Sequence, residues 1–268
     1  MKYREIIADV RRVVVKIGSR VLVQKTGRPD KRRIRSLTNE LASIQKNGHE
    51  VVIVTSGAVG AGMEALGMSK RPVILPDLQM AAAIGQARLM ATYGQFFGAL
   101  NCKVGQILLT HADFRHRMRL TNARRVIENL IRNRVIPIIN ENDVVADEEI
   151  RADLTLGDND LLAGLVVRLV RADLLIMLTT VDGLRENDKF GRTRRVKYLE
   201  SITHKTFKLV TEHDGVISKG GMLTKLKAAK AVSQLGCAAV IANGRQTGVL
   251  TAIMSGKDIG TMVVPTGI

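Results

Sequence analysis

The sequence predicts an α/β fold in which helices cover both faces of a largely parallel sheet. Three observations carry this prediction. Apolar segments such as Val13–Val15 and Val51–Val54 run without polar alternation, as strands buried on both faces do. Segments with helical spacing of apolar residues follow those strands in turn. Polar and glycine-rich turns come directly after the strands, where sites in such sheets lie.

The elements follow in order. Arg12–Ile17 reads as a Val-rich strand. Ile34, Leu37, Leu41 and Ile44 mark one face of a helix that Asn47-Gly48 ends. Val51–Val54 is a second strand, running into Thr55-Ser56-Gly57-Ala58 and a helix to about Leu66. Pro76–Phe97 is helical, with Gly85 and Gly94 inside it. Within it and beyond, the uncharged stretch Leu89–Cys102 suits either an interface or a core helix. Strand Val104–Leu109, a helix over Arg119–Arg132 and strand Val135–Ile139 come next. Asn140–Leu156 reads as a polar loop. Asp158 starts a helix with an apolar face of Leu161, Leu162, Leu165, Val166 and Leu169, before strand Leu174–Leu178. Arg185–Asp214 is charged and weakly periodic, an excursion with short strands. A helix over Met222–Leu235, strand Cys237–Ala242 and a short helix over Thr247–Met254 close the chain. With no Pro- or Ser-rich linker, one domain over 1–268 with two lobes, about 1–170 and 171–268, is expected.

Composition narrows the function classes. Lys+Arg 41 against Asp+Glu 25 gives a net charge of +16, which suits an anionic small substrate or nucleic acid. Aromatic residues make up only 3%, too few for a base-stacking platform, and no nucleic-acid-binding motif is present. Nucleic acid is therefore not the expected ligand. No apolar run is long enough to span a bilayer, and the start lacks a signal-peptide core, so a cytoplasmic location is expected. Cys102 and Cys237 read as small buried residues without a disulfide.

The motifs carry the chemistry. In Lys16-Ile17-Gly18-Ser19 the lysine can reach a phosphate while the glycine lets backbone N–H groups approach, or Lys16 is an ordinary strand-ending lysine. The Walker pattern GxxxxGK[ST] is absent. Thr55–Gly62 opens a helix, so its N–H groups and Ser56 can hold an anion; capping and close packing explain it too. Asn140-Glu141-Asn142-Asp143 can bind an ammonium or form an Asx-turn. Gly157-Asp158-Asn159-Asp160 holds two carboxylates where a helix cap needs one. In Ser218–Lys225, a lysine in the first turn of a helix opposes the dipole, which suggests an anionic partner, though an exposed lysine costs little there. His111 and His116 have no metal-ligand spacing and read as surface histidines. If the fold brings them together, two lysines in Gly-containing turns, with carboxylates to position them, describe phosphoryl transfer without a Walker loop.

These motifs, in this order, resemble the glutamate 5-kinases of the amino acid kinase family. Val15–Ser19, Val54–Ala58, Gly85–Leu89, Val104–Thr110, Ile139–Asp143, Gly157–Asp160 and Gly220–Lys225 carry the resemblance over about the whole chain. It implies an open, mostly parallel, three-layer αβα sandwich. It also implies ATP-dependent phosphorylation of the side-chain carboxylate of L-glutamate, the first step of proline biosynthesis. By this resemblance Lys16 and Lys225 flank the transferring group and Asp160 holds them. Ser56, Asn140, Asp143, Asp158 and Asn159 are the implied glutamate ligands, with Asp143 near the ammonium. Lys16, Gly18, Thr179, Thr180, Lys219, Gly220, Gly221, Met222 and Lys225 are implied to line the ATP site, with Mg²⁺ arriving on ATP and no protein metal site. Proline is the implied feedback inhibitor, and a homodimer or homotetramer the implied assembly. Two departures stand out. Thr180 occupies a position where many relatives have Asp, and the sequence ends at Ile268, where bacterial members often continue into a PUA domain. A single-domain form or a truncated one is expected.

Overall fold

A computed structural model describes residues 2–24, 27–145, 158–188, 190–213 and 219–266. Its strands are β1 (Arg12–Ile17), β2 (Glu50–Val54), β3 (Lys103–Leu109), β4 (Val135–Glu141), β5 (Leu174–Thr179), β6 (Arg185–Asn187), β7 (Thr193–Arg195), β8 (Tyr198–Leu199), β9 (Ala238–Asn243) and β10 (Thr261–Val263). Eight of them form one sheet in the order β3-β4-β2-β1-β5-β9-β10-β8, while β6 and β7 pair separately. All neighbours in the large sheet are parallel except β9 and β10. The chain builds outward from β1 in one direction through β2, then in the other from β5. The junction of β1 and β5 is thus a switch point, and a crevice opens beyond its carboxyl end.

The helices are α1 (Ser19–Leu22), α2 (Lys31–Lys46), α3 (Ala58–Ala65), α4 (Leu75–Gly98), α5 (His111–Arg115), α6 (Arg117–Arg132), α7 (Asp158–Val170), α8 (His204–His213), α9 (Lys219–Ser233) and α10 (Val249–Met254). Strand alternation divides the core in two. Val13, Val15 and Ile17 pack with Leu37 and Leu41 of α2, Tyr93 and Phe97 of α4, and Leu250 of α10. Val14 packs on the other face with Ile127 of α6, Leu162 and Val166 of α7, and Leu226 of α9. Lys16 follows Val14 by two residues, so it shares the α7 and α9 face. On the opposite face, buried Glu40 of α2 accepts bonds from the Gly248, Leu250 and Thr251 amides and caps α10.

Several sequence expectations need correction. β4 runs on through Asn140 and Glu141, because these pair with Leu108 and Leu109 of β3; the polar loop begins later. Residues 146–157, including Gly157, lie outside the described residues. The weakly periodic stretch contains α8, whose Val210 is buried. One face of the Leu89–Cys102 stretch is core, in line with one of its two readings, with Leu89, Tyr93, Phe96, Phe97 and Cys102 buried, while Ala91, Gly94, Gln95, Gly98 and Ala99 are exposed. Helix α9 starts at Lys219, three residues earlier than expected. Lys225 therefore sits in the second turn, and the dipole argument for it does not apply.

Helices α3 and α4 cross in backbone contact at two glycines. A Cβ on Gly85 would lie 1.8 Å from the Ala58 carbonyl oxygen, and one on Gly62 1.8 Å from that of Ala81. A Cβ on Gly94 of the same α4 meets nothing within 4 Å. Gly85→Ala gains up to ~1 kcal/mol in helix propensity but incurs about 3 kcal/mol of overpacking. It is expected to lower the unfolding free energy by a net ~2 kcal/mol, seen as a lower urea midpoint at unchanged slope, whereas Gly94→Ala raises that free energy by up to ~1 kcal/mol.

Candidate active site

The carboxyl ends of β1 and β5, with α7 and α9 behind them, bring three charged side chains together. Lys16 Nζ lies 2.6 Å from Asp160 Oδ1, and Lys225 Nζ lies 2.8 Å from Asp160 Oδ2. The Thr224 hydroxyl donates to the same Oδ2 at 2.9 Å, and Lys225 also donates to the Gly221 carbonyl at 3.1 Å. Asp160 is 0% exposed, Lys16 5% and Lys225 7%. Burial by itself pushes the Asp160 carboxyl up, yet attraction from Lys16 and Lys225 outweighs it, and the group stays below the usual carboxylate range. Burial lowers the Lys225 pKa, with Asp160 opposing that shift and Lys16 adding to it. Two ammonium groups on one carboxylate leave a net positive charge in a desolvated place. An anionic group is its natural complement.

Gly18 separates this cluster from α1. Its amide donates to the Leu178 carbonyl at 3.0 Å, so it is tied to β5 and not free for a phosphate. A Cβ there would stand 3.8 Å from Lys16 Nζ and 3.1 Å from that carbonyl.

A cavity of about 640 Å³ opens beyond β1, β2 and β4. Lys16, Arg20 and Arg71 give it cations; Glu141 and Asp143 give it anions. Ser56, Asn140 and Asn159 also line it. The Ser56 hydroxyl donates to the Ile17 carbonyl at 2.7 Å, which ties β2 to β1 and leaves only its oxygen to accept. Asn159 Nδ2 donates to the Thr55 carbonyl at 2.7 Å and to Asn140 Oδ1 at 3.3 Å. A second cavity of about 500 Å³ lies beyond β5 and β9, with Thr180, Val181, Asp182, Met222 and Asn243 in its wall.

Lys16, Asp160 and Lys225, predicted as one unit, are in direct contact, and Ser56, Asn140, Asp143 and Asn159 share the first cavity. Thr180 and Met222 line the second; Thr179 does not, and its carbonyl accepts from the Gly244 amide at 2.8 Å. The Asp158 and Lys219 side chains and Gly220 lie outside what the structure describes beyond their place in α7 and α9. Asp182 is held by Arg185 through bonds of 3.2 and 3.0 Å. Sequence reasoning gave no role to Arg20 or Arg71, and named Glu141 only within Asn140–Asp143. Glu141 was visible as part of its motif; Arg71, in the turn before α4, carries no local signal. His111 is not the surface residue expected: its Nδ1 lies 3.5 Å from Glu141 Oε2. His116 is exposed and accepts from the Arg119 amide at the start of α6. Among the described residues no cluster of three or more His, Cys, Asp or Glu is arranged to hold a metal ion.

Residues 11–243 match the model of the amino acid kinase family. The chain belongs to that family. Among curated members of the amino acid kinase family, it is 42% identical to the glutamate 5-kinase of Geobacter metallireducens over 262 residues, 97% of this chain and 69% of that one. It is also 42% identical over 261 residues to the glutamate 5-kinase of Moorella thermoacetica, covering 97% and 68% of the two chains. Solved structures share the fold: carbamate kinase from Giardia lamblia bound to AMP-PNP (TM-score 0.65, 20% identity, 96% and 99% coverage) and UMP kinase from Bacillus anthracis (0.61, 16%, 96% and 96%).

Asp160→Asn keeps the shape but leaves two buried ammonium groups without a counter-charge. It is expected to lower unfolding free energy by roughly 3–5 kcal/mol at neutral pH. Because the folded pKa of Asp160 is depressed, its contribution is full above the unfolded value of about 3.9 and is lost as pH falls through the folded value. The difference between wild type and variant, read from urea unfolding, should therefore shrink only below that range.

Proposed function

We propose that this chain transfers the γ-phosphoryl group of ATP to the side-chain carboxylate of L-glutamate, giving L-glutamyl 5-phosphate, the first step of proline biosynthesis. One observation carries the reading: a buried Lys16–Asp160–Lys225 cluster at the switch point, with Lys16 also in the wall of a cavity that carries both cations and carboxylates. Such a wall complements an amino acid, whose carboxylates and ammonium need opposite partners. The likeness to glutamate 5-kinases supports the same substrate.

In this reading the N-terminal lobe holds glutamate and the C-terminal lobe holds ATP, with the base against Val181 and Met222. Ser56, Asn140, Asp143 and Asn159 orient the glutamate, with Asp158 beside them. Lys219, Gly220 and Gly221 lie along the phosphates at the start of α9. A glutamate carboxylate oxygen attacks the γ-phosphorus, and the bond to the ADP oxygen breaks. No general base is needed, since a carboxyl with a pKa of about 4.3 is already ionised. Lys16 and Lys225 neutralise charge on the phosphoryl oxygens as it develops, and Asp160 keeps both ammonium groups in place. Mg²⁺ enters with ATP and screens its phosphates. Both Asp160 oxygens already face lysines, so Asp160 is not its ligand. L-proline is the proposed feedback inhibitor, the cytoplasm the proposed location, and a homodimer or homotetramer the proposed assembly.

The decisive assay is ADP release from ATP and Mg²⁺ with L-glutamate, N-acetylglutamate, aspartate, UMP or carbamate, with hydroxylamine trapping acyl phosphate. Hydroxamate formed only with L-glutamate is expected; turnover with another acceptor alone would overturn the substrate. Lys225→Met should lower kcat by about 10²–10³-fold with the circular dichroism spectrum unchanged. Since the Lys225 pKa is lowered, kcat/KM for ATP should fall on the alkaline side with a midpoint below the free-lysine value of about 10.4. Lys225→Arg should remove that limb.

A further inference from the structure

Behind the first cavity runs a relay of three side-chain amides whose polarity is set by one carbonyl. The Thr55 carbonyl can only accept, so Asn159 must turn its Nδ2 to it, at 2.7 Å. The same Nδ2 reaches Asn140 Oδ1 at 3.3 Å, which turns Asn140 Nδ2 the other way. That nitrogen donates to Gln86 Oε1 at 2.8 Å. Each amide has one orientation compatible with these bonds. The relay ends in two buried atoms with no hydrogen-bond partner, Asn159 Oδ1 and Gln86 Nε2. Asn159 lines the amino-acid cavity, and the atom it keeps without a partner is an acceptor. A primary ammonium, which only donates, is the chemical match.

Gln86 is absent from the cavity wall, so it acts through its neighbours. It belongs to α4, and Tyr93, two helical turns on, faces the same way. The Tyr93 hydroxyl and the Thr55 hydroxyl lie 2.9 Å apart, and the Thr55 amide donates to the Ile139 carbonyl at 2.9 Å. One helix thus meets the relay at two points, the Thr55 hydroxyl through Tyr93 and the Asn140 amide through Gln86.

We propose that Gln86 is a positioning residue for specificity: by accepting from Asn140 it locks the relay so that the cavity offers an acceptor to the α-ammonium of the substrate. Without that acceptor the Asn140 amide is free to rotate; Asn159 then keeps its bond to the Thr55 carbonyl but loses its second one, to Asn140. The proposal rests on the glutamate-kinase reading and deepens it.

The test measures KM for L-glutamate and for ATP, and the inhibition constant of glutarate, in wild type, Gln86→Met and Gln86→Glu. Glutarate has the two carboxylates but no amine. Gln86→Met, similar in size but without the acceptor, should raise KM for L-glutamate by about tenfold, while KM for ATP and the glutarate constant stay within about twofold. Gln86→Glu still accepts from Asn140 and should stay within about threefold of wild type for L-glutamate. Equal weakening of L-glutamate and glutarate, a parallel rise in KM for ATP, or a Gln86→Glu variant as poor as Gln86→Met would overturn the proposal. A wild-type chain that fails to use L-glutamate would overturn the functional reading itself, and that is seen before any variant is compared.

Discussion

Asp160 is the constraint on which the rest of the site depends. A carboxylate with no exposed surface is tolerable only if its charge is answered at contact distance, and two lysines answer it. The arrangement fixes more than the charges. Lys16 comes from the first strand, Asp160 from the start of α7 and Lys225 from α9, so the cluster ties the centre of the sheet to both helices that cover that face. Strand alternation makes the tie possible: Lys16 continues the side of β1 that Val14 packs against α7 and α9. The same desolvation that makes the cluster demanding also strengthens its pull on an incoming anion.

The two faces of the sheet serve the site differently. The α7 and α9 face supplies charges. The α3 and α4 face supplies neutral amides and hydroxyls, through Gln86, Tyr93, Thr55 and Asn140. Neutral groups suit that task, because their orientation is directional and they add no self-repulsion to a chain of +16. The close crossing of α3 and α4 at Gly62 and Gly85 belongs to the same scheme, since Gln86 follows Gly85 directly and takes its place from that contact.

The central strands were readable in the sequence because their apolar runs have no competing explanation. The end of β4 was not, because Asn140 and Glu141 are polar and only pairing with β3 makes them strand. Helix α8 was hidden among charges, its few apolar residues being spread through a basic segment. The start of α9 was misjudged because Gly220 and Gly221 look like a turn, yet they lie within the helix, and this moved Lys225 away from the terminus. The partner of His111 was out of reach as well, since Glu141 stands on the neighbouring strand.

The sequence by itself determined the sheet, the presence of lysines and carboxylates just after strands, and the absence of a Walker loop; together these made phosphoryl transfer an expectation that depended on the fold bringing those residues together. Periodicity and residue chemistry are local, so they survive in one dimension. The tertiary structure alone decided that one carboxylate serves both lysines, that Gly18 spends its amide on β5, and that Gln86, on a helix outside the cavity wall, accepts from an amide within it. Each of these contacts joins segments far apart in sequence. Strand order and side-chain facing set them, and neither is written in any single stretch of chain.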